Sequence, residues 1–229
     1  MKQLRNYGDE RNFAYCVFCG GETGTRDHCP SRVFLDEPYP DNLPVVPSCS
    51  ACNSSFSADE EYLACLVSCV VAGSTDPNAL PRKKIMRILR DKPSLRALIE
   101  KTRSASDRTI VFKPDIDRVV AVATKLAQGH AFYELHETCL HTPDKINFIP
   151  LSLMNANQRD TFEFPKPSAV WPEVGSRAMQ RLVTGIDLTY AGWIDVQPGR
   201  YRFYTSVDGG IDVRIVIHEY LAFHIAWVQ

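Results

Sequence analysis

No stretch of this 229-residue chain approaches the roughly 18 consecutive apolar residues that a membrane-crossing helix requires, so insertion into a bilayer is not expected. The opening MKQLRNYGDE also lacks the apolar core of a secretory leader, which makes the cytoplasm the expected compartment. Internal repeats and low-complexity tracts are missing, and with them the solenoid and spacer classes. From residue 62 onward there is no phosphate-binding glycine loop, no nucleophile elbow and no cluster of metal-ligating side chains. These absences confine any catalytic chemistry to the first quarter of the sequence.

An overall basic excess is lacking too, since the formal charge is −1. Taken along the chain, however, the charge is uneven. Residues 1–60 carry five Lys and Arg against nine Asp and Glu, whereas residues 81–118 carry twelve against five, a local excess of about +7. Such a segment could follow a phosphate backbone through Arg82, Lys83, Lys84 and Arg87, or it could be an ordinary solvated helix surface.

What the sequence does have is eight cysteines, four of them in two CxxC pairs: Cys16-Val-Phe-Cys19 and Cys49-Ser-Ala-Cys52. With no export signal, a disulfide framework is the weaker reading and metal binding the stronger. Two thiolate pairs flanking one loop can place four sulfurs around a zinc ion at roughly 2.3 Å, closing a structural site with no open position for chemistry. Gly20 and Gly21 supply the backbone freedom that the first turn needs. Cys65 and Cys69, one helical turn apart in YLACLVSCVV, read as small buried hydrophobes.

Around these pairs, residues 12–47 show short β-like runs, FAYCVF and LPVV, between Gly- and Pro-rich turns. Ser57 followed by Glu60 matches a capping box that opens a helix to about Gly73. Two amphipathic helices divided near Pro93 follow, with Ile85, Ile88, Leu89, Leu95, Leu98 and Ile99 on their apolar sides. A further helix after Pro114 carries Val119, Val122, Ala123 and Leu126 before Gly129 weakens it. From Pro143 to Pro172 no period emerges. SRAMQRLV reads as a short helix, and the last forty residues read as an antiparallel meander of three or four strands.

The residues enclosed by the cysteines suit phosphodiester chemistry. Asp27 offers a hard oxygen for Mg²⁺ or Mn²⁺, and His28 an imidazole that takes a proton near neutrality. On an extended strand the two point to opposite faces, so one can hold a metal while the other addresses water. Asn53, directly after the last cysteine, offers an amide oxygen as a second metal ligand. The other histidines, in apolar or strand-like contexts, read as structural.

The ordered set CxxC, Asp-His, CxxC-Asn over residues 14 to about 62 resembles the HNH (ββα-metal) nucleases, in particular the zinc-stapled subset that includes endonuclease VII-type resolvases. The resemblance implies His28 as general base, one divalent ion on Asp27 and Asn53, and products with 5′-phosphate and 3′-hydroxyl ends. It assigns the middle asparagine, which braces the histidine loop, to Asn42, seven residues before Cys49. Asn42 reads equally as an Asx-turn residue in a Pro-rich loop. Arg26 and Arg32 flank the site and could hold phosphate oxygens or be ordinary surface arginines. Glu60 could reach the metal if one helix ran unbroken from Asn53, but the capping box gives it a structural task.

The expected protein is therefore α+β. Residues 1–62 form a zinc-bound ββα-metal module, and residues 63–229 form a docking region with helices to about 136 and antiparallel strands from about 190. The expected activity is metal-dependent endonucleolytic hydrolysis, most naturally of DNA, with structural Zn²⁺ and catalytic Mg²⁺ or Mn²⁺. The second region is expected to choose the substrate, through nucleic-acid docking, dimerisation, or an activating ligand or protein partner. Within it, Tyr201, Phe203 and Tyr204 with Arg200 and Arg202 could stack on bases or form an ordinary strand. The competing reading is a non-catalytic, zinc-stabilised nucleic-acid-binding protein. Cysteine replacement is expected to unfold the module, and Asp27→Ala to leave the fold intact.

Overall fold

The structure, a computed structural model, describes residues 10–106, 109–165, 168, 170–185 and 192–228. Its elements are β1 (Thr25–His28), β2 (Val45–Ser48), α1 (Ser50–Ser55), α2 (Ser57–Ala72), α3 (Lys83–Asp91), α4 (Pro93–Lys101), β3 (Arg103–Ser106), β4 (Thr109–Phe112), α5 (Ile116–His130), β5 (Lys145–Pro150), α6 (Ala156–Glu163), α7 (Arg177–Val183), β6 (Ile194–Gln197), β7 (Tyr201–Val207), β8 (Gly210–Ile217) and β9 (Leu221–Val228). They divide into two compact units, one made of the residues up to Ser55 and from Ala123 onward, the other of Phe56–Val122. Helix and strand are mixed as expected, and the C-terminal part is an antiparallel sheet.

That sheet has five strands in the order β5-β9-β8-β7-β6. Four of them are the meander that alternation announces. The run DVRIVIHEYLAFHIAWV folds back on itself through the three residues 218–220, where His218 and Glu219 both take positive φ, 58° and 47°, a backbone twist that matches the flanking strands. Gly210 has φ 145°, and a β-carbon there would lie 2.1 Å from the Trp227 carbonyl oxygen, so only glycine fits. The fifth strand, β5, comes from the segment that shows no period in sequence. It pairs with β9 on one side only, so it needs no strict alternation and tolerates Pro150 at its end.

Tyr201, Phe203, Val213, Ile215, Phe223 and Ile225 of the sheet are fully buried. Tyr201 and Phe203, with Tyr204 also buried, therefore form core rather than a base-stacking platform. The neighbouring Arg200 pairs with Asp36 at 2.6 Å and Arg202 with Glu163 at 2.7 Å. His130, at the end of α5, is fully buried, stacked on Phe203 at 3.7 Å and bonded through Nε2 to the Tyr201 hydroxyl at 2.8 Å. Burial depresses its pKa to about 3. Below about pH 6.5 an unfolded chain binds a proton here that the folded chain does not, so stability falls as the pH drops toward 3. The expected slope from this group is roughly 1.4 kcal/mol per pH unit. Urea titrations of wild type and His130→Gln between pH 7 and 4 would show it as a pH dependence that the variant lacks. Equal slopes would remove His130 as its source.

In the second unit α2 buries Tyr62, Leu63, Cys65, Leu66 and Cys69, as the apolar run predicts. Its start differs from expectation. Phe56, one residue before Ser57, occupies the N-cap in a helical conformation without a side-chain cap, and the Glu60 amide donates to the Phe56 carbonyl at 2.9 Å. Glu60 is buried in this unit. The break between α3 and α4 falls at Lys92, with Pro93 opening α4, where its missing N–H costs nothing. Ile85, Leu89 and Ile99 are buried, but Leu98 is exposed. The β3–β4 hairpin was not anticipated. Tyr62 accepts the Asp115 amide through its hydroxyl at 2.9 Å and lies under Arg118, which pairs with Asp59 at 2.6 Å.

Candidate functional site

The first cysteine pair sits on a tight turn, not on the strand that FAYCVF suggested. Cys16 donates its amide to Gly21 at 2.7 Å, Gly20 donates back to Cys16 at 2.8 Å, and Gly20 takes φ 72°. The second pair straddles the start of α1: Cys49 follows β2 directly, and the Cys52 amide points at the Cys49 sulfur, 3.4 Å away. All four sulfurs lie within 4.8 Å of one another, and those of Cys19 and Cys49 are 3.9 Å apart. A tetrahedral zinc with sulfurs at roughly 2.3 Å requires sulfur separations of about 3.8 Å. The electrostatics agree. Burial opposes ionisation of Cys16, but hydrogen bonds from Cys49, Phe18 and Cys19 outweigh it and lower the thiol to about 7. Cys52 is pushed up, by burial and by hydrogen bonding with the other sulfurs. Four crowded sulfurs resist ionising together unless a cation shares their charge, and this soft, closed donor set can hold zinc.

Between the cysteines, β1 and β2 pair antiparallel, with Asp27 opposite Val46 and His28 opposite Val45. The pairing extends through the Cys29 amide to the Pro44 carbonyl at 2.9 Å. Six-residue α1 buries none of its own side chains and is anchored by Asn53, whose Nδ2 donates to the Arg26 carbonyl at 3.2 Å and the Thr25 hydroxyl at 3.3 Å. Because a carbonyl can only accept, this bond fixes the amide orientation and makes Oδ1 the acceptor end of the Asn53 side chain. The sequence thus produces a strand–strand–helix unit with Asp27 and His28 on β1 and Asn53 on the helix that is bonded to β1 through Thr25 and Arg26.

Asp27 and His28 point to opposite faces of β1, as strand geometry requires. Asp27 turns inward. Its buried Oδ2 forms an ion pair with the ammonium of Lys125 on α5 at 2.6 Å, by proximity of charge rather than by hydrogen-bond geometry, and the two residues are only 7% and 2% exposed. This corrects the expectation that Asp27→Ala leaves the fold intact, because breaking a buried pair strands a charge at a cost of roughly 3–5 kcal/mol. Sequence reasoning missed Lys125. The signal was there: it lies three residues after buried Val122 and one before buried Leu126, a lone charge on an apolar helical face.

The same face of α5 reaches β1 one turn later. The Cys29 thiol points to the Leu126 carbonyl at 3.4 Å, and a β-carbon on Gly129 would fall 2.5 Å from the Cys29 sulfur. Gly129 therefore does not end the helix, which runs on to His130; it permits close approach to β1. Gly129→Ala is expected to cost about 1–3 kcal/mol of overpacking, offset by up to about 1 kcal/mol of helix propensity. In a Cys29→Ala background, where only the 3.1 Å contact with the residue 29 β-carbon remains, the same change is expected to cost less. Denaturant midpoints of the four proteins decide it, and equal destabilisation in both backgrounds would exclude the Cys29 sulfur as the cause.

His28, on the outer face, is half-buried, and its Nε2 lies 3.0 Å from an Arg32 guanidinium nitrogen. Arginine has no acceptor, so Nε2 must carry the lone pair and the proton sits on Nδ1. Burial, and next the Arg32 charge, hold the imidazole below its ordinary pKa against the opposing pull of Asp27. Arg32 and Arg26 are both exposed beside the site. Asn42 occupies the third position of a turn closed by the Leu43 amide on the Pro40 carbonyl, 3.2 Å, immediately before β2. Of the basic residues in the other unit, Lys83 and Arg87 are exposed on α3 and Lys84 is half-buried, but Arg82 is buried at 4% exposure and is corrected from surface to interior. Compared with protein-family models, curated proteins and solved structures, the chain has no match, so the four-cysteine cluster and the strand–strand–helix geometry stand on their own chemistry.

Proposed function

We propose that this chain is a zinc-stapled, metal-dependent endonuclease of the HNH type that hydrolyses phosphodiester bonds, most naturally in DNA. The observation that carries the proposal is the joining of three residues on one short unit: Asp27 and His28 on opposite faces of β1, and Asn53 hydrogen-bonded across from α1. Zinc on Cys16, Cys19, Cys49 and Cys52 holds that unit together.

A divalent ion, Mg²⁺ or Mn²⁺, fits the hard oxygens of Asp27 and Asn53, and when bound it neutralises charge on the scissile phosphate and the leaving 3′-oxygen. His28 takes the proton of the attacking water on Nε2. Water oxygen bonds to phosphorus, the bond to the 3′-oxygen breaks, and that oxygen leaves with a proton as the 3′-hydroxyl. Arg32 has the planar donor fork that suits phosphate. Its transfer from Nε2 to a phosphate oxygen on substrate arrival would free the base at the moment it is needed. Arg26, exposed on the same strand, provides a second phosphate contact.

A non-catalytic nucleic-acid-binding protein is favoured by one observation, that Asp27 is already paired with Lys125 and His28 Nε2 with Arg32. Incubating the purified chain with supercoiled DNA, linear DNA and RNA, each with Mg²⁺, Mn²⁺ or chelator, separates the two. Metal-dependent nicks that carry 5′-phosphates are the expected result, and binding without cleavage under every condition would leave the second reading.

A further inference from the structure

From the ion pair and the helix contact together, we infer that Lys125 is a positioning residue for the proposed catalytic ion: its buried ammonium clamps Asp27 Oδ2 so that the other carboxylate oxygen is presented to the metal. The inference rests on the endonuclease reading above and extends its site to α5.

Three observations support the clamp. The pair is short, 2.6 Å, and almost wholly shielded, with side-chain exposures of 3% and 9%. Shielding keeps water from competing for either partner, so the carboxylate is held in one orientation. The clamp is also built into the packing. Lys125 and Gly129 are one helical turn apart on α5, and Asp27 and Cys29 are two residues apart on β1 and its extension, so each pair shares a face. The close approach at Gly129 and Cys29, together with the Cys29 thiol on the Leu126 carbonyl, sets the distance at which Lys125 meets Asp27. The ammonium also lies 5.6 Å from the Phe18 ring centre, inside the first cysteine turn. One side chain thereby touches both the zinc knuckle and the proposed ligand. A group that pairs with a ligating carboxylate at its other oxygen orients that ligand, and loss of such a partner commonly costs 10–100-fold in metal affinity.

The test is Mn²⁺ affinity of the full-length, zinc-loaded protein, read from the electron paramagnetic resonance signal of free Mn²⁺. Lys125→Met is expected to weaken Mn²⁺ binding by about 10–100-fold while zinc content stays unchanged. Unchanged or tighter binding in the variant overturns the inference, tighter binding meaning that Lys125 competes with the ion. A wild type that binds no Mn²⁺ removes the endonuclease reading itself, and the inference with it. Because Lys125→Met could fail to fold, the wild type is also measured alone, with ζ-¹⁵N-labelled lysine titrated with Mg²⁺. The buried Lys125 ammonium is expected to keep its slow exchange and shift as the ion binds. Merging with the solvent-exposed lysines would mean that it is displaced, and would overturn the clamp.

Discussion

Replacing Cys52 by serine, or stripping the protein with a strong chelator, is expected to unfold the segment that holds β1, β2 and α1. Two strands of four residues each and a helix of six with no buried side chains cannot persist on their own, since helices this short are unstable in water. Structural zinc supplies on the order of 10 kcal/mol in comparable small sites, more than the net stability of many domains. Hydrogen exchange of the Asp27 and Cys29 amides would report the loss directly. A colorimetric zinc assay should give one ion per wild-type chain. Wild-type protection of those amides in Cys52→Ser would show that packing against α5, rather than zinc, holds the unit.

His28→Ala is expected to have the opposite profile. The residue is half-buried, so the fold and the zinc content should survive, whereas cleavage should fall by roughly 10²–10⁴-fold, the usual contribution of a positioned general base. Asp27 cannot give so clean a result, because its removal also strands Lys125. The informative comparison is therefore between His28→Ala, which loses activity alone, and Asp27→Ala, which loses activity and stability together. Single-turnover cleavage rates set beside thermal melts would show this. Equal cleavage by His28→Ala and wild type would take His28 out of the chemistry.

The parts legible in sequence were those whose causes are local. The CxxC spacing places two sulfurs on one turn, and the fourfold cluster follows once the β1–β2 pairing between them brings the two turns together. Opposite facing of Asp27 and His28 follows from strand geometry alone, and four of the five sheet strands from alternation. The FAYCVF run misled because its apolar residues serve a turn and a core contact, not a ladder. The capping pattern at Ser57 marks the break between α1 and α2 to within one residue: the helices are separated by Phe56 alone, and the chain enters α2 already helical there.

By itself, then, the sequence determined the four cysteines that cluster, the trio Asp27, His28 and Asn53 as candidates for chemistry, and the C-terminal meander. Only the tertiary structure decided what surrounds that trio. Lys125 lies 98 positions beyond Asp27 and meets it at 2.6 Å because Gly129 lets α5 close on Cys29. The approach of a distant helix to a strand depends on volumes and faces that neither segment encodes alone. That contact, invisible to spacing or periodicity, turns an exposed-looking carboxylate into a buried and oriented one.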